Sequence, residues 1–381
     1  MGLLIKVDTD IVVDLNKIFS IENDYYTLQD STEEGIKIQL KYDLELPDDT
    51  YDPKNYKLYI FRADDIPENS IFQVYEKDLI KSENGLGRIG WIFPLQSILS
   101  NEHDYADNIH FLRYAYVAFC KLIVSNESLC EKIPEYKADL IYSMGDFYND
   151  STVIMILCNE LVSKIIDFQI ENYLPFLYSK GYYYDKTTGI CNDGKIVKKD
   201  YKNYISGSNR LILISISKDL NEGTYINRLF IDLLKNEKHY LVKFHLLYQV
   251  IELLIERIFN NEVKRLFKAL EDLSCNLFEI RNEFSKLAEE LGRIEKLFTI
   301  YTQNSDDLDY LKEACVNLLK RTGNFKEADN FSAGKSLYLF RSLLVHNYRL
   351  LSKDHIVMIE EINACFEKVV VSILITFTEK E

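Results

Sequence analysis

All six prolines of this chain, Pro47, Pro53, Pro67, Pro94, Pro134 and Pro175, lie before residue 176, and residues 176–381 contain none. A proline inside a helix removes a backbone hydrogen bond and collides with the preceding turn, so long uninterrupted helices belong where prolines are missing. The back of the chain is therefore assigned to helices and the front to shorter elements. The expected fold class is α+β: a strand-rich N-terminal domain, a mixed middle region and a C-terminal all-α helical bundle.

Hydrophobic periodicity refines the division. Residues 1–105 read as an acidic, mostly β domain: 1–13 are apolar-rich, 36–46 (IKIQLKYDLEL) alternate in places, and 56–61 (YKLYIF) are aromatic and β-branched, with the turn cluster PDDTYDPKN between. Residues 106–235 form a mixed α/β region, either separate or continuous with the N-terminal domain as one sensor. Helical spacing is read there over 108–124 and 151–174, two segments that are candidates to pack together. A hairpin-like texture follows over 181–201, and the apolar run 211–216 suits a buried strand. Residues 236–381 carry five segments with apolar residues at i, i+3, i+4 and i+7: 239–259, 277–298, 306–323, 335–351 and 352–377. Gly323 closes the third and Ser352 caps the fifth. That is the pattern of a five-helix bundle.

A chain of 381 residues with 47% apolar and 28% charged residues can bury two ordinary cores without covalent staples. The seven cysteines (Cys120, Cys130, Cys158, Cys191, Cys275, Cys315 and Cys365) are odd in number, and the nearest two are ten residues apart, so zinc-ligand spacing is absent. Free thiols, no metal and no cofactor are expected. No cationic and apolar leader is read at the N-terminus, and the apolar stretch 369–377 is about half of the ~20 residues a membrane span needs. The expectation is a cytoplasmic protein without a membrane partner.

Charge is unevenly spread. Residues 1–110 hold 10 Lys+Arg against 22 Asp+Glu, a net of −12 out of the chain's −15. An acidic surface repels phosphate, so a nucleic acid would meet the back of the chain, and the front would contact a trigger or an antitoxin partner.

One apparent motif is set aside. GLGRIG (Gly85, Gly87, Gly90) matches a glycine-rich phosphate fingerprint, but Trp91, Ile92, Phe93 and Pro94 follow it, which is extended chain rather than the helix whose N-terminus such a loop requires. GxxxxGK[ST], HExxH and GxSxG patterns do not occur.

The residues that point to chemistry are FRSLLVHNY at 340–348. The spacing Arg341, four residues, His346, one residue, Tyr348 resembles the motif of the HEPN family in its extended, toxin-branch form, and lies on the penultimate helix of a proline-free bundle. YQVIE, which places Tyr248 and Glu252 four apart on the first helix, is similar to another pattern of that family. The resemblance covers residues 236–381 only. It implies Arg341 and His346 as catalytic residues, with Ser342, Tyr348, Tyr248 and Glu252 as auxiliary ones, and a homodimer acting on RNA. Ser342 stands where the family usually carries Asn, Asp or His; a hydroxyl can hydrogen-bond a phosphate but cannot replace those side chains in orienting the arginine.

The residue types suit metal-independent RNA cleavage. With the substrate's own 2′-hydroxyl as nucleophile, the reaction needs a group that exchanges protons near neutrality and a permanent cation for the phosphate, which histidine and arginine supply. The products are a 2′,3′-cyclic phosphate and a 5′-hydroxyl, and DNA is inert. Residues five apart on a helix diverge by about 140°, so one copy makes a poor site, in keeping with the dimer that the resemblance implies. The competing structural roles are a satisfied histidine between helices for His346, a surface ion pair with an acid such as Glu360 for Arg341, and a helix-stabilising pair or a bond to the motif helix for Tyr248 and Glu252. The functional expectation is the RNA-cleaving effector of a bacterial defence or toxin-antitoxin system with an N-terminal sensor or regulatory domain. The alternative is a catalytically inactive HEPN-like nucleotide- or protein-binding module, and a bare helical interaction protein comes third.

Overall fold

The structure is a computed structural model that describes the chain apart from residues 1–2, 9–10, 16, 23–24, 31–34, 48–50, 64–65, 83–86, 125–129, 185–208, 221–223, 235–236, 273–275, 304–305, 324, 326 and 380–381. It divides into two compact units, Met1–Ile214 and Ser215–Glu381. The fold is α+β, with the sheets in the first unit and a helical region in the second.

The first unit opens with the antiparallel hairpin β1 (Leu3–Asp8) and β2 (Ile11–Leu15). A meander follows, β3 (Lys17–Glu22), β4 (Tyr25–Gln29) and β5 (Lys37–Lys41). Strict alternation in β4 and β5 turns Tyr26, Leu28, Ile38 and Leu40 into the core and their neighbours outward, as expected of a sheet with one buried face. The next elements are β6 (Tyr56–Arg62), β7 (Phe72–Glu76), α1 (Lys77–Ser82), β8 (Arg88–Pro94) and α2 (Ile109–Val124). Then come β9 (Ile141–Tyr142), β10 (Thr152–Cys158), α3 (Asn159–Val162), α4 (Leu174–Ser179), β11 (Tyr183–Tyr184) and β12 (Arg210–Leu213). Strand β9 joins the meander beside β5, and the other six form a sheet in the order β11-β6-β10-β8-β7-β12.

This order bears on the two arrangements left open for residues 106–235, separate from the N-terminal domain or continuous with it. Strand β10 lies between β6 and β8, in register with both, so the sheet begun before residue 105 is completed by residues 152–158 and 210–213. Residues 106–214 share one compact unit with residues 1–105, which is the continuous arrangement, and the next division lies at residue 214 where the sequence pattern put it at 235. Residues 151–174, read as a helix, contain β10 followed by short helical turns. A continuous apolar run has no face to distinguish the two states, and the β-branched Thr152, Val153, Ile154 and Ile156 favour the strand; all residues from Thr152 to Leu157 are buried. Helix α2 forms as read, and its Phe111, Ala115, Phe119 and Leu122 share a core with Trp91 and Phe93 of β8, Ile154 and Ile156 of β10 and the inward residues of β4 and β5. Of the hairpin-like texture at 181–201, residues 181–184, which include β11, lie within the described residues.

One charge is taken into this core with its partners. Arg62 Nη2 lies 3.4 Å from Glu131, which also accepts hydrogen bonds from Thr152 Oγ1 at 3.0 Å and the Asn149 N–H at 2.8 Å. Breaking such a buried pair by deleting one member costs about 3–5 kcal/mol.

The second unit begins with α5 (Thr224–Arg228) and a π turn, Leu229–Leu233. It continues with α6 (Tyr240–Glu271), α7 (Leu277–Ala288), α8 (Glu290–Lys296), α9 (Asp306–Arg321), α10 (Ala333–His346) and α11 (Lys353–Thr376). The segment 277–298, read as one helix, is two: Glu289 is extended, and Arg293 Nη1 donates at 2.8 Å to the Leu287 carbonyl that the break leaves open. Gly323 closes α9 with φ +78°, a conformation that side chains other than glycine resist. Ser352 caps α11, its N–H donating to His355 Nδ1 at 3.0 Å, which gives His355 a capping role. In α6 the buried Phe244, Leu247, Tyr248, Ile251, Leu254, Ile255 and Ile258 recur at helical spacing. Phe244 meets Phe340 of α10 edge-on at 5.0 Å and Phe366 of α11 at 5.5 Å, so three helices lock around one aromatic cluster. No described helix is long and apolar enough to cross a membrane.

Within GLGRIG, Gly85 lies outside the described residues and Gly90 has a structural account. Gly90 pairs with Leu157 and Val74, and a Cβ built there would overlap the Ile156 carbonyl oxygen and stand 2.7 Å from Leu157 Cδ2. The substitution Gly90→Ala should therefore destabilise the first unit by about 1–3 kcal/mol or more. Trp91, the chain's single tryptophan, is buried in the same strand, so its fluorescence in a urea titration reports on this unit. An unchanged midpoint would contradict the close approach.

Candidate functional site

Arg341, Ser342 and His346 sit on α10, a helix held at both ends by side chains of α6 and α8. Ser332 caps it by accepting the Lys335 N–H at 3.1 Å, and the Glu295 carboxylate of α8 bonds both Ser332 Oγ and the Lys335 N–H, the latter at 3.0 Å. A carboxylate at a helix N-terminus meets unsatisfied N–H groups and the positive end of the helix dipole. Gly334 lets Glu295 approach: its missing Cβ would lie 2.9 Å from the Glu295 carboxyl carbon. At the other end Tyr348, in the turn Tyr348–Leu350, hydrogen-bonds Tyr240 at the start of α6, and the Tyr240 carbonyl accepts from Asn363 of α11 at 2.8 Å.

Phe340 points into the aromatic cluster, and the next residue, about 100° further round the helix, is Arg341. Its guanidinium enters the angle between α6 and α8. Arg341 Nη2 lies 3.5 Å from Glu252 of α6, Nη1 lies 4.0 Å from Glu290 of α8, and the charge stands 5.4 Å over the ring of Tyr248. Tyr248 Oη donates to Glu290 at 2.9 Å, and burial followed by the neighbouring Glu290 carboxylate raises that phenol well above its ordinary value, which keeps it a donor. The counter-ions of Arg341 are thus Glu252 and Glu290, not Glu360. As the pair to Glu252 is partly exposed, it contributes only about 0–1 kcal/mol.

These groups border a cleft of about 310 Å³ with three carboxylates, Glu252, Glu256 and Glu290, two guanidiniums, Arg293 and Arg341, and the apolar Ile255 and Phe259. Arg293 stacks over Phe259 at 5.4 Å. Glu256, Glu290 and Arg293 escaped the sequence reading. They fall in no motif; α8 meets the motif helix only because the chain breaks at Glu289, and that break leaves no mark on the hydrophobic period. The ELGR run, with opposite charges three apart on a helix, was the available signal.

His346, the last residue of α10, does not enter this cleft. Its imidazole is exposed and makes no polar contact with any described residue, so it is not a satisfied histidine between helices. Arg341 and His346 are separated by about 7.5 Å along the helix axis and about 140° around it. Ser342 is half-buried, without a polar partner among the described residues. Tyr248, Glu252 and Arg341 therefore come together, while His346 stands apart. Among the described residues no group of three His, Cys, Asp or Glu side chains is placed to hold a metal ion. Comparison with protein-family models, curated proteins and solved structures finds no match to this chain.

The wall between α6 and α8 depends on Glu262, whose side chain is 14% exposed and bonds Lys296 Nζ at 2.9 Å and Tyr301 Oη at 2.6 Å. Burial alone would raise its carboxyl, but the hydrogen bonds from Tyr301 and Lys296 and their charge environment outweigh this and hold it below the ordinary value. A depressed folded-state pKa adds stability that is present above the unfolded value of about 4.3 and fades as the pH falls through the folded one. Glu262→Gln should therefore destabilise the helical unit at neutral pH, and its difference from the wild type should shrink toward zero below about pH 4. Thermal unfolding followed by far-UV circular dichroism measures this; a difference that grows on acidification would contradict the assignment.

Proposed function

We propose that this chain is a metal-independent endoribonuclease of HEPN-like type, cytoplasmic, and the RNA-cleaving effector of a bacterial defence or toxin-antitoxin system. The observation that carries the reading is the division of labour along α10. Arg341 is held, with a defined orientation, at a cleft, and His346 is left at the helix end without a structural bond to any described residue. A cation poised at a cavity and an unengaged imidazole are the two groups that transesterification of RNA requires. The 2′-oxygen attacks phosphorus as its proton passes to a base, the 5′-oxygen leaves and takes a proton, and the ends are a 2′,3′-cyclic phosphate and a 5′-hydroxyl. His346 is assigned the proton transfers, and Arg341 the charge that grows on the phosphoryl oxygens.

The divergence of the two side chains supports a homodimer in which motif helices from two copies meet across a two-fold axis, so that the imidazole of one copy reaches the arginine of the other. The first unit takes the regulatory role, with a trigger or antitoxin as its partner; the net charge of −12 over residues 1–110 makes it a poor surface for RNA. A second reading, an inactive nucleotide- or protein-binding module, is favoured by one observation: carboxylates outnumber guanidiniums around the cleft.

Arg341→Ala and His346→Ala should each lower RNA cleavage by about 10²–10⁴-fold, the scale of a lost general base or phosphate clamp. Both should retain the wild-type mass by light scattering and the wild-type melting temperature within a few degrees. Full activity of either variant would exclude the assignment, and a wild-type monomer with full activity would exclude the composite site.

A further inference from the structure

Two carboxylates face Arg341, and they are held differently. Glu290 is fixed: its Oε1 accepts the hydrogen bond from Tyr248 Oη at 2.9 Å, and Tyr248 is itself buried in the aromatic cluster. Glu252 has no such anchor. Its side chain is 48% exposed, and its one polar contact among the described residues is Arg341 Nη2 at 3.5 Å. A carboxylate presents two oxygens to a guanidinium, and so does a phosphodiester, so Glu252 occupies positions that an RNA phosphate would use.

We propose that Glu252 is a displaceable counter-ion that closes the Arg341 cleft to phosphate until RNA, or a rearrangement of the protein, moves it aside, while Glu290 is the positioning residue that keeps the guanidinium in place after Glu252 has left. This rests on the ribonuclease reading and adds regulation to it. An exposed, singly bonded carboxylate is released at little energetic cost, and the incoming phosphate inherits an arginine already oriented by Tyr248 and Glu290. Because Glu252 leaves an anionic rim with Glu256 and Glu290 around the cleft, a single stray phosphate is disfavoured. A polyanionic strand that makes further contacts can overcome the exchange.

The two roles give opposite signs. Binding of a fluorescent oligoribonucleotide carrying 2′-O-methyl groups throughout, which cannot be cleaved, is followed by anisotropy at fixed salt with the full chain. Glu252→Gln keeps the shape and loses the charge, and should tighten binding by about 3–5-fold, the scale of an exposed ion pair. Glu290→Gln should weaken it. The double variant Glu252→Gln/Arg341→Ala should bind no more tightly than Arg341→Ala, because the gain acts through the arginine. Glu256→Gln removes the same charge from the same cleft without touching Arg341 and serves as the control for general repulsion; its gain should stay below about 2-fold. Circular dichroism establishes that each variant is folded. If Arg341→Ala weakens binding but Glu252→Gln does not tighten it, or if Glu256→Gln tightens it equally, the gate is refuted and the ribonuclease reading stands. If Arg341→Ala leaves RNA binding unchanged and the wild type cleaves no RNA, the gate falls together with that reading.

Discussion

A guanidinium cannot be drawn between helices without counter-charge, and in the second unit that requirement joins three helices at one point. Arg341 brings α10 to Glu252 on α6 and to Glu290 on α8, and the ring of Tyr248 supplies a polarisable face beneath it. The cluster of Phe244, Phe340 and Phe366 sets the rotation of α10, so the residue after Phe340 has no choice but to face the cleft. Glu295 holds the N-terminal end of the same helix and Tyr348 the C-terminal end. Among the described residues, the imidazole of His346 and the hydroxyl of Ser342 are polar groups of the motif that remain outside this network.

The helical half was largely legible in the sequence because its cause is additive. Missing prolines, a 3.6-residue period and end signals such as Gly323 and Ser352 each act locally and agree. The break at Glu289 was not legible, since both flanking segments keep the period and the break is held by Arg293 reaching back to the Leu287 carbonyl. The sheet half was legible only in part. Alternation identified strands such as β5, but β10 is buried on both faces, where alternation vanishes and a strand reads like a buried helix. Its position between β6 and β8 joins residues far apart in sequence, and no local pattern encodes that pairing.

The site divides along the same line. Arg341, Tyr248 and Glu252, which the fold brings together, fell on a motif and a four-residue spacing, as did His346, which stands apart from them. Glu256 of α6 and Glu290 of α8 join the cleft through tertiary packing, and with Glu252 they make Arg341 a compensated guanidinium rather than a free one. A motif names residue types at a spacing, whereas affinity for an anion depends on every charge within a Debye length of about 8 Å.

Digestion of a single-stranded RNA by the purified wild-type chain in EDTA, with the ends of the fragments identified by mass, tests the central claim most directly. The account predicts cleavage undiminished by the chelator, 2′,3′-cyclic phosphate and 5′-hydroxyl termini, and no cutting of the matching DNA or of RNA methylated at the 2′-oxygen. Fragments ending in a 3′-hydroxyl, cleavage of DNA, or activity that appears only with an added divalent metal would contradict it.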